Sequence, residues 1–176
     1  MTRAIAMDLK TLIKDVPDYP KKGIIFKDIT PLLSDARAYD ETITRLAEPW
    51  NGKGVQVVAG IESRGFLLAA GVALKLGAGL VPVRKSGKLP SAVFGESYSL
   101  EYGAAVIEAH QDAFPKGAKV LLVDDVLATG GTAKAALNIL ERIGGSVVGA
   151  SFLIELDFLK GREKIAGYDC RALINY

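Results

Sequence analysis

The sequence predicts an α/β domain in which helices flank a central, mainly parallel β-sheet. Short apolar runs at residues 55–59, 80–83 and 120–123 are bounded by glycine or polar residues, as is typical of buried parallel strands. Apolar residues at helical spacing follow the first and third runs, and such alternation favours a parallel sheet. Because ligands of these folds bind at the carboxyl ends of the strands, we expect the functional residues there.

Composition and charge indicate a single globular domain that binds neither nucleic acid nor a membrane. The chain has 176 residues and a net charge of +2, so we expect one domain over residues 1–176. Its basic residues are dispersed, which argues against nucleic-acid binding. No apolar run approaches membrane-spanning length and the first residues lack the apolar core of a signal peptide, so we expect no membrane contact and a cytoplasmic location. The single cysteine, Cys170, and the single histidine, His110, are interpreted as structural residues.

The amino-terminal part predicts a helix, a loop and a second helix. Residues 1–14 place apolar side chains on one helical face. Residues 16–31 contain three prolines and a glycine around an apolar centre, which predicts an ordered loop. A helix should then begin at Ser34 or Asp35 and run to about Glu48, before Pro49.

The remaining elements leave one alternative open. Residues 91–103 form a long polar and aromatic excursion, which is typical of an active-site lid but also of an exposed β-hairpin. Beyond it we expect strands over residues 104–108, 147–156 and 170–176, with a short helix at 157–164.

The most informative segment joins a strand, two acids and a loop of small residues. Asp124 and Asp125 follow the apolar run 120–123, and a helical pattern begins after the loop. The loop residues are Ala128, Thr129, Gly130, Gly131 and Thr132. Free amides at a helix N-terminus suit a phosphate, and carboxylates beside it suit ribose hydroxyls. The alternative is that the acids end a strand and the loop caps a helix. Neither a P-loop nor a dinucleotide-binding glycine pattern occurs in the chain.

Two further polar segments follow predicted strands. Arg64 stands at a helix start, where the helix dipole disfavours a cation, so it needs a carboxylate or a substrate phosphate nearby. Arg84, Lys85 and Lys88 form either a solvated loop or a site that neutralises a diphosphate.

The strand, the acid pair and Thr-Gly-Gly-Thr resemble the 5-phosphoribosyl 1-pyrophosphate (PRPP) motif of the type I phosphoribosyltransferases. Segments 17–31, 84–90 and 98–103 narrow this resemblance to the adenine phosphoribosyltransferase family, as do Gly-Ile-Glu-Ser-Arg-Gly-Phe at 60–66 and Leu-Lys-Gly-Arg-Glu-Lys at 159–164. The likeness covers residues 9 to about 167. It implies the type I phosphoribosyltransferase fold, with a small N-terminal hood at about 15–33 and a flexible lid at about 86–103.

The resemblance also implies roles for individual residues. Asp124 and Asp125 would face the ribose, and residues 128–132 would bind the 5′-phosphate. The pyrophosphate loop would comprise Glu62, Ser63 and Arg64, helped by Arg84, Lys85 and Lys88. Adenine would lie between the hood residues Ile25, Phe26 and Lys27 and, on its other face, Leu127. Glu101 and Tyr102 would belong to the lid, and Glu101 and Arg64 are the expected catalytic residues. Lys27 and Ser86 stand where the family often has other residues.

The implied reaction joins adenine and PRPP to give AMP and pyrophosphate in purine salvage. Mg²⁺ is the implied cofactor, held mainly by PRPP and water and not directly by protein ligands. A homodimer is implied as well. The transition state should resemble an oxocarbenium ion, so charge stabilisation and exclusion of water matter more than a protein nucleophile.

Three rival interpretations remain. A transferase for another purine would be separated by competitive base kinetics. A PRPP-sensing regulator would need a winged helix or a basic face, and a plain dimerisation module would not explain the polar strand ends.

Overall fold

The structure, a computed structural model, describes residues 7–99 and 104–176. The chain divides into two compact units, Met1–Arg45 and Leu46–Tyr176. The boundary falls near the end of one helix. No helix in the described ranges is long and apolar enough to cross a membrane.

The first unit contains a two-stranded antiparallel sheet and helices. Its elements are a 3-10 turn at Leu9–Leu12, β1 at Lys14–Pro17, β2 at Ile25–Asp28, α1 at Thr30–Ser34 and α2 at Ala36–Ala47. The register pairs Lys14 with Asp28 and Pro17 with Ile25.

The helix predicted over residues 1–14 is wrong where the structure describes it. Asp8 caps a 3-10 turn of four residues, its carboxylate accepting the Lys10 N–H at 3.1 Å. Pairing with β2 then draws Lys14 into a strand. The predicted loop at 16–31 likewise includes β2 and the start of α1, because strand pairing is a tertiary contact that loop composition does not reveal.

The start of α2 agrees with its sequence signal. The Asp35 carboxylate accepts the backbone N–H groups of Arg37 and Ala38, both at 2.9 Å, and so satisfies two donors of the first turn. Pro49 lies in a 3-10 turn, Glu48–Trp50, just after the helix ends.

The second unit is built on a seven-stranded sheet with the order β5-β6-β4-β3-β7-β8-β9. The strands are β3 Val57–Ile61, β4 Gly79–Lys85, β5 Val93–Ser99, β6 Ala104–His110, β7 Lys119–Leu127, β8 Ser146–Glu155 and β9 Cys170–Asn175. The helices are α3 Arg64–Leu76, α4 Gly131–Ile143 and α5 Gly161–Lys164. Strands β4, β3, β7, β8 and β9 are parallel, whereas β6 is antiparallel to β4 and β5. The predicted α/β class with a mainly parallel sheet is confirmed.

The hydrophobic core of this unit is built around the central strand β7 and the helix α4. All four residues of the run 120–123 in β7 are fully buried, as expected for a strand covered on both faces. Helix α4 buries Ala136, Leu137 and Leu140 at helical spacing. This packing fixes the start of α4 close to the carboxyl end of β7.

Several elements differ in extent from the prediction. The helix expected over 157–164 is a 3-10 turn at Asp157–Leu159 followed by the single turn α5, because Lys160 is left-handed. Strand β7 runs on to Leu127, so Asp124 and Asp125 lie within the strand and not after it, because pairing with β8 continues to Glu155. The excursion at 91–103 is a strand of an antiparallel hairpin over residues 93–99. Residues 93–99 therefore form part of a hairpin, whereas the role of the excursion as a lid stays a prediction, and residues 100–103 lie outside the described ranges.

Candidate active site

A pocket of about 70 Å³ opens at the carboxyl end of β7. It is lined by Asp124 and by the continuous segment 126–133. A cavity of this size has room for several waters or for a phosphate-sized group. The structure thus brings one of the two predicted acids and all five predicted loop residues to a single cavity.

The loop can bind an anion because of how α4 begins. Gly130 is its N-cap residue and has φ = +76°, a left-handed conformation that a side chain would disfavour. The first N–H groups of a helix have no intrahelical acceptor, and the helix dipole adds partial positive charge at this end. A phosphate in the pocket would meet these donors.

Asp124 and Asp125 have different surroundings. Asp124 is half-buried, with part of its side chain open to the pocket, and it accepts the Asp125 N–H at 2.9 Å. Burial raises the pKa of Asp124 well above its usual range, the Asp125 charge adds to this, and Arg64 opposes it. Asp125 is 6% exposed and is not among the residues that line the pocket.

Arg64 supplies the cation that Asp125 requires. Its Nε lies 2.7 Å from Asp125 Oδ2, although its N–H is not aligned for a hydrogen bond to that oxygen. This ion pair joins the start of α3 to β7. The carboxylate alternative for Arg64 therefore holds, and an anion bound here would compete with Asp125 for the guanidinium.

The Glu62–Ser63 segment connects β3 to α3 through a cis peptide bond. Ser63 is exposed, whereas the Glu62 carboxylate pairs with Arg84 Nε at 3.1 Å and accepts the Lys85 N–H at 3.2 Å. Desolvation pushes the pKa of Glu62 upward, but these two hydrogen bonds and the charges of Arg84 and Lys88 outweigh it, and its pKa is lowered.

The cationic loop is held in place by two carboxylates. Arg84 also donates from Nη1 to the Lys88 carbonyl at 3.1 Å, which closes the loop on itself. Glu108 of β6 accepts the Ser86 hydroxyl in a short hydrogen bond and the Gly87 N–H at 3.0 Å. Contacts within the protein therefore hold the loop 84–88, and Ser86 has a structural partner in Glu108.

The predicted hood residues lie on β2 of the first unit. Ile25 is 56% exposed, and the ring of Phe26 makes an edge contact with Tyr19 at a centroid distance of 5.1 Å. Lys27 forms an ion pair with Asp15 at 2.7 Å, so its side-chain charge is neutralised within the hairpin. The Phe26 ring is only partly buried, and an accessible aromatic face is a surface on which a flat base can stack.

The other predicted residues divide into two groups. Leu127 lines the pocket and is almost fully buried. Glu101 and Tyr102 lie outside the described residues, so their predicted roles remain predictions.

Two glycines that the sequence did not reveal as site residues, Gly65 and Gly161, pack closely against residues of the site. A Cβ on Gly65 would lie 2.5 Å from Asp124 Oδ1, so only glycine lets α3 approach this carboxylate closely. A Cβ on Gly161 would lie 2.8 Å from the Gly130 nitrogen. Both glycines belong to segments already recognised as family motifs. Their place in those motifs is the available signal, but their contact partners are distant in sequence.

The site offers oxygen ligands but no preformed metal cage. Among the described residues, no three His, Cys, Asp or Glu side chains are grouped to hold a metal ion. Asp124 presents a carboxylate to the pocket, and Mg²⁺ prefers oxygen ligands while retaining several waters. The residues present therefore fit a magnesium ion that is held chiefly by a phosphorylated substrate.

Comparisons with known proteins agree with this geometry. The profile of the phosphoribosyl transferase domain family matches residues 28–173. The adenine phosphoribosyltransferase of Thermobifida fusca is 57% identical over 173 residues, covering 96% of this chain and 98% of the relative. The crystal structure of adenine phosphoribosyltransferase from Thermoanaerobacter pseudethanolicus has a TM-score of 0.93 at 49% identity, covering 96% of this chain and 98% of that one. The Saccharomyces cerevisiae enzyme, crystallised with an imino-altritol bisphosphate and adenine, has a TM-score of 0.87 at 38% identity, covering 96% and 97%.

Proposed function

This chain belongs to the adenine phosphoribosyltransferases within the phosphoribosyl transferase domain family, and on that premise we propose how its site acts. The enzyme transfers the 5-phosphoribosyl group of PRPP to adenine, giving AMP and pyrophosphate, a reaction of purine salvage. The observation that carries the proposal is the pocket at the end of β7, where Asp124 and the loop 128–132 line one cavity.

The three parts of PRPP correspond to three parts of the site. The 5′-phosphate takes the pocket at the start of α4, where backbone N–H groups and the Thr129 and Thr132 hydroxyls are donors. The ribose hydroxyls donate to Asp124 and Asp125. The diphosphate takes the loop Glu62–Ser63–Arg64, with cationic help from residues 84–88. The ion pair of 2.7 Å between Arg64 and Asp125 supports placing ribose and diphosphate side by side.

The site accelerates the reaction by stabilising the charges that develop in the transition state. As the bond from the anomeric carbon to the diphosphate breaks, positive charge grows on the sugar and negative charge on the leaving group. Arg64, Arg84, Lys85 and Lys88 offset the negative charge, and the two aspartates lie on the side of the sugar. Mg²⁺ bound to PRPP supplies further positive charge to the diphosphate. Glu101 assists the base in losing its N9 proton or supports the cationic sugar.

Selectivity for adenine is assigned to the hood and Leu127. Phe26 stacks on the base, backbone groups of residues 25 and 27 read its edge, and Leu127 closes the other face. Adenine carries an exocyclic amine, a donor, where hypoxanthine carries a carbonyl. A backbone acceptor at Ile25 therefore favours adenine and leaves two acceptors facing each other for hypoxanthine.

The assembly is proposed to be a homodimer in the cytoplasm. Leu67 and Leu74 project from one face of α3, seven residues apart, and are 50% and 85% exposed. Exposed apolar side chains grouped on one helix are typical of an interface, and a second copy is the partner we assign. The free thiol of Cys170 fits a reducing compartment.

The decisive experiment measures AMP formation from labelled adenine, with and without PRPP and Mg²⁺. We expect product only when PRPP and the metal are both present. Labelled hypoxanthine serves as the competing base. Equal kcat/KM for the two bases would refute the assignment of the hood, and absence of AMP under all conditions would refute the function.

A further inference from the structure

The segment Asp157–Lys164 contains a motif to which the proposed function gives no task. It comprises a 3-10 turn at Asp157–Leu159, Lys160 in a left-handed conformation, and the single turn α5 at Gly161–Lys164. We call residues 157–164 the brace. It follows directly after β8, the strand that pairs with β7 as far as Leu127 and Glu155.

The backbone of the brace contacts the backbone of residues 128–132, which we call the phosphate-binding loop after its proposed role. A Cβ on Gly161 would collide with the Ala128 carbonyl and lie 2.8 Å from the Gly130 nitrogen. In the opposite direction, a Cβ on Gly130 would collide with the Gly161 carbonyl and lie 3.1 Å from its Cα. The two backbone segments are too close for a methyl group to fit between them. Gly161, unlike Gly130, does not have a positive φ, so steric contact alone demands glycine at this position.

The brace is itself fixed to the sheet by a charged fork. Arg162 donates from Nε to Glu155 Oε1 at 2.9 Å and from Nη2 to the other carboxylate oxygen, and from Nη1 to the Cys170 carbonyl at 2.7 Å. Glu155 is 4% exposed, and a paired carboxylate in such surroundings holds its partner firmly. Arg162 therefore ties the brace to β8 and β9 through contacts that do not involve the loop.

We propose that the brace sets the position of the phosphate-binding loop, and that Gly161 is a positioning residue for the 5′-phosphate. The inference rests on the proposed function, which places that phosphate at residues 128–132. Loop amides bind a phosphate well only at the correct spacing, and misplacing such donors by about 1 Å can cost on the order of 100-fold in activity. Packing against Gly161 restricts that displacement before the substrate arrives.

The test separates the phosphate-binding loop from the rest of the site. Affinities of the folded, full-length wild type and of Gly161→Ala are measured by calorimetry for ribose 5-phosphate and, separately, for pyrophosphate with Mg²⁺. We expect ribose 5-phosphate to bind at least about tenfold more weakly to the variant, with the KM for PRPP rising accordingly. Pyrophosphate affinity should stay within about twofold, because residues 62–64 and 84–88 do not touch the brace glycine.

Two further variants complete the design. Gly79→Ala is the matched control, since a Cβ there meets only the Gln56 carbonyl at 3.7 Å, an ordinary contact. Arg162→Lys loosens the brace without adding an atom at the glycine contact. Arg162→Lys should also weaken ribose 5-phosphate binding, by a smaller factor than Gly161→Ala. It replaces Gly161→Ala as the test variant if that variant does not fold.

The outcomes distinguish this inference from the function. Unchanged ribose 5-phosphate affinity in both brace variants would overturn the inference, and so would a parallel loss of pyrophosphate affinity. If the wild type forms no AMP while ribose 5-phosphate affinity still falls in Gly161→Ala, that result would refute the proposed function and support the positioning role of Gly161.

Discussion

At the scale of single residues, the site depends on glycines whose missing side chains leave room for functional groups. Gly65 at the start of α3 leaves space that Asp124 Oδ1 fills, and the Asp124 Cα lies 3.3 Å from where a Cβ would be. Backbone of β7 cannot move aside easily, because its neighbouring residues are fully buried. The carboxylate would have to rotate or α3 would have to shift.

We therefore predict that Gly65→Ala raises the KM for PRPP by at least about tenfold while the KM for adenine changes little. The added methyl group displaces a carboxylate that we assign to the ribose, and such misplacement typically costs catalytic efficiency. Steady-state kinetics at varied PRPP and saturating adenine provide the measurement, with Gly79→Ala as the control. A variant with wild-type KM for PRPP would contradict the placement of Asp124 at the ribose.

Cys170 gives a second prediction at this scale. Burial raises the pKa of its thiol from an ordinary 9.0 to about 11, with Arg162 opposing the shift. The thiolate is the reactive form, and two pKa units reduce its population about 100-fold at neutral pH. We expect the folded protein to react with a thiol reagent at pH 8 about 100-fold more slowly than the protein in urea.

The measurement has no background from other thiols, because the chain contains one cysteine. Equal rates in the folded and unfolded states would show that Cys170 is neither buried nor perturbed. Its interpretation as a small structural residue would then need revision.

At the scale of elements, the β5–β6 hairpin is attached to α4, the helix that follows the loop proposed to bind phosphate. Glu96 of β5 accepts from Asn138 at 3.0 Å and pairs with Arg142 at 3.2 Å. Arg142 also donates to the Gly95 carbonyl at 2.9 Å and lies 4.8 Å from the ring centroid of Phe94. The described part of the hairpin is thus held against α4, and residues 100–103 connect its two strands.

Glu101 lies in that connection, outside the described residues, and its role is tested by substitution. We predict that Glu101→Ala lowers kcat by at least about tenfold while PRPP affinity survives, since a general acid or base typically contributes about 10²–10⁴-fold. Single-turnover rates and PRPP calorimetry would separate chemistry from binding. Asp112→Ala, an exposed acid beyond β6, is the control. An unchanged kcat would end the assignment of Glu101.

At the scale of the whole molecule, the exposed face of α3 concerns assembly. Helix α3 begins at Arg64, which we assign to the diphosphate, and bears Leu67 and Leu74 on its exposed face. An interface there would support the helix that positions Arg64, so assembly and activity would be linked.

We predict that Leu74→Glu converts a dimer to a monomer at micromolar concentration, because a carboxylate buried between two copies has no partner. Light scattering coupled to size-exclusion chromatography measures the mass. Phe158→Glu, which changes a residue 70% exposed elsewhere on the second unit, should leave the dimer intact. If Leu74→Glu is still a dimer, the interface does not lie on this face of α3. If the wild type is a monomer, the proposed dimer is wrong.

The sequence by itself determined the fold class and the location of the loop 128–132, which we propose binds the phosphate. Apolar runs and helical periodicity are local patterns, and they reported the parallel strands, α3, α4 and the Asp35 cap correctly. The family resemblance supplied the reaction because its motifs occur in order along nearly the whole chain.

Only the tertiary structure decided which groups meet. It extended β7 through both aspartates, replaced the predicted first helix by a short turn and a strand, and paired Arg64 with Asp125 and Arg84 with Glu62. It also brought Gly161 against Gly130, 31 positions away along the chain. The physical reason is that strand pairing, ion pairing and close backbone contact join residues distant in sequence, and their energies depend on geometry that no local pattern encodes.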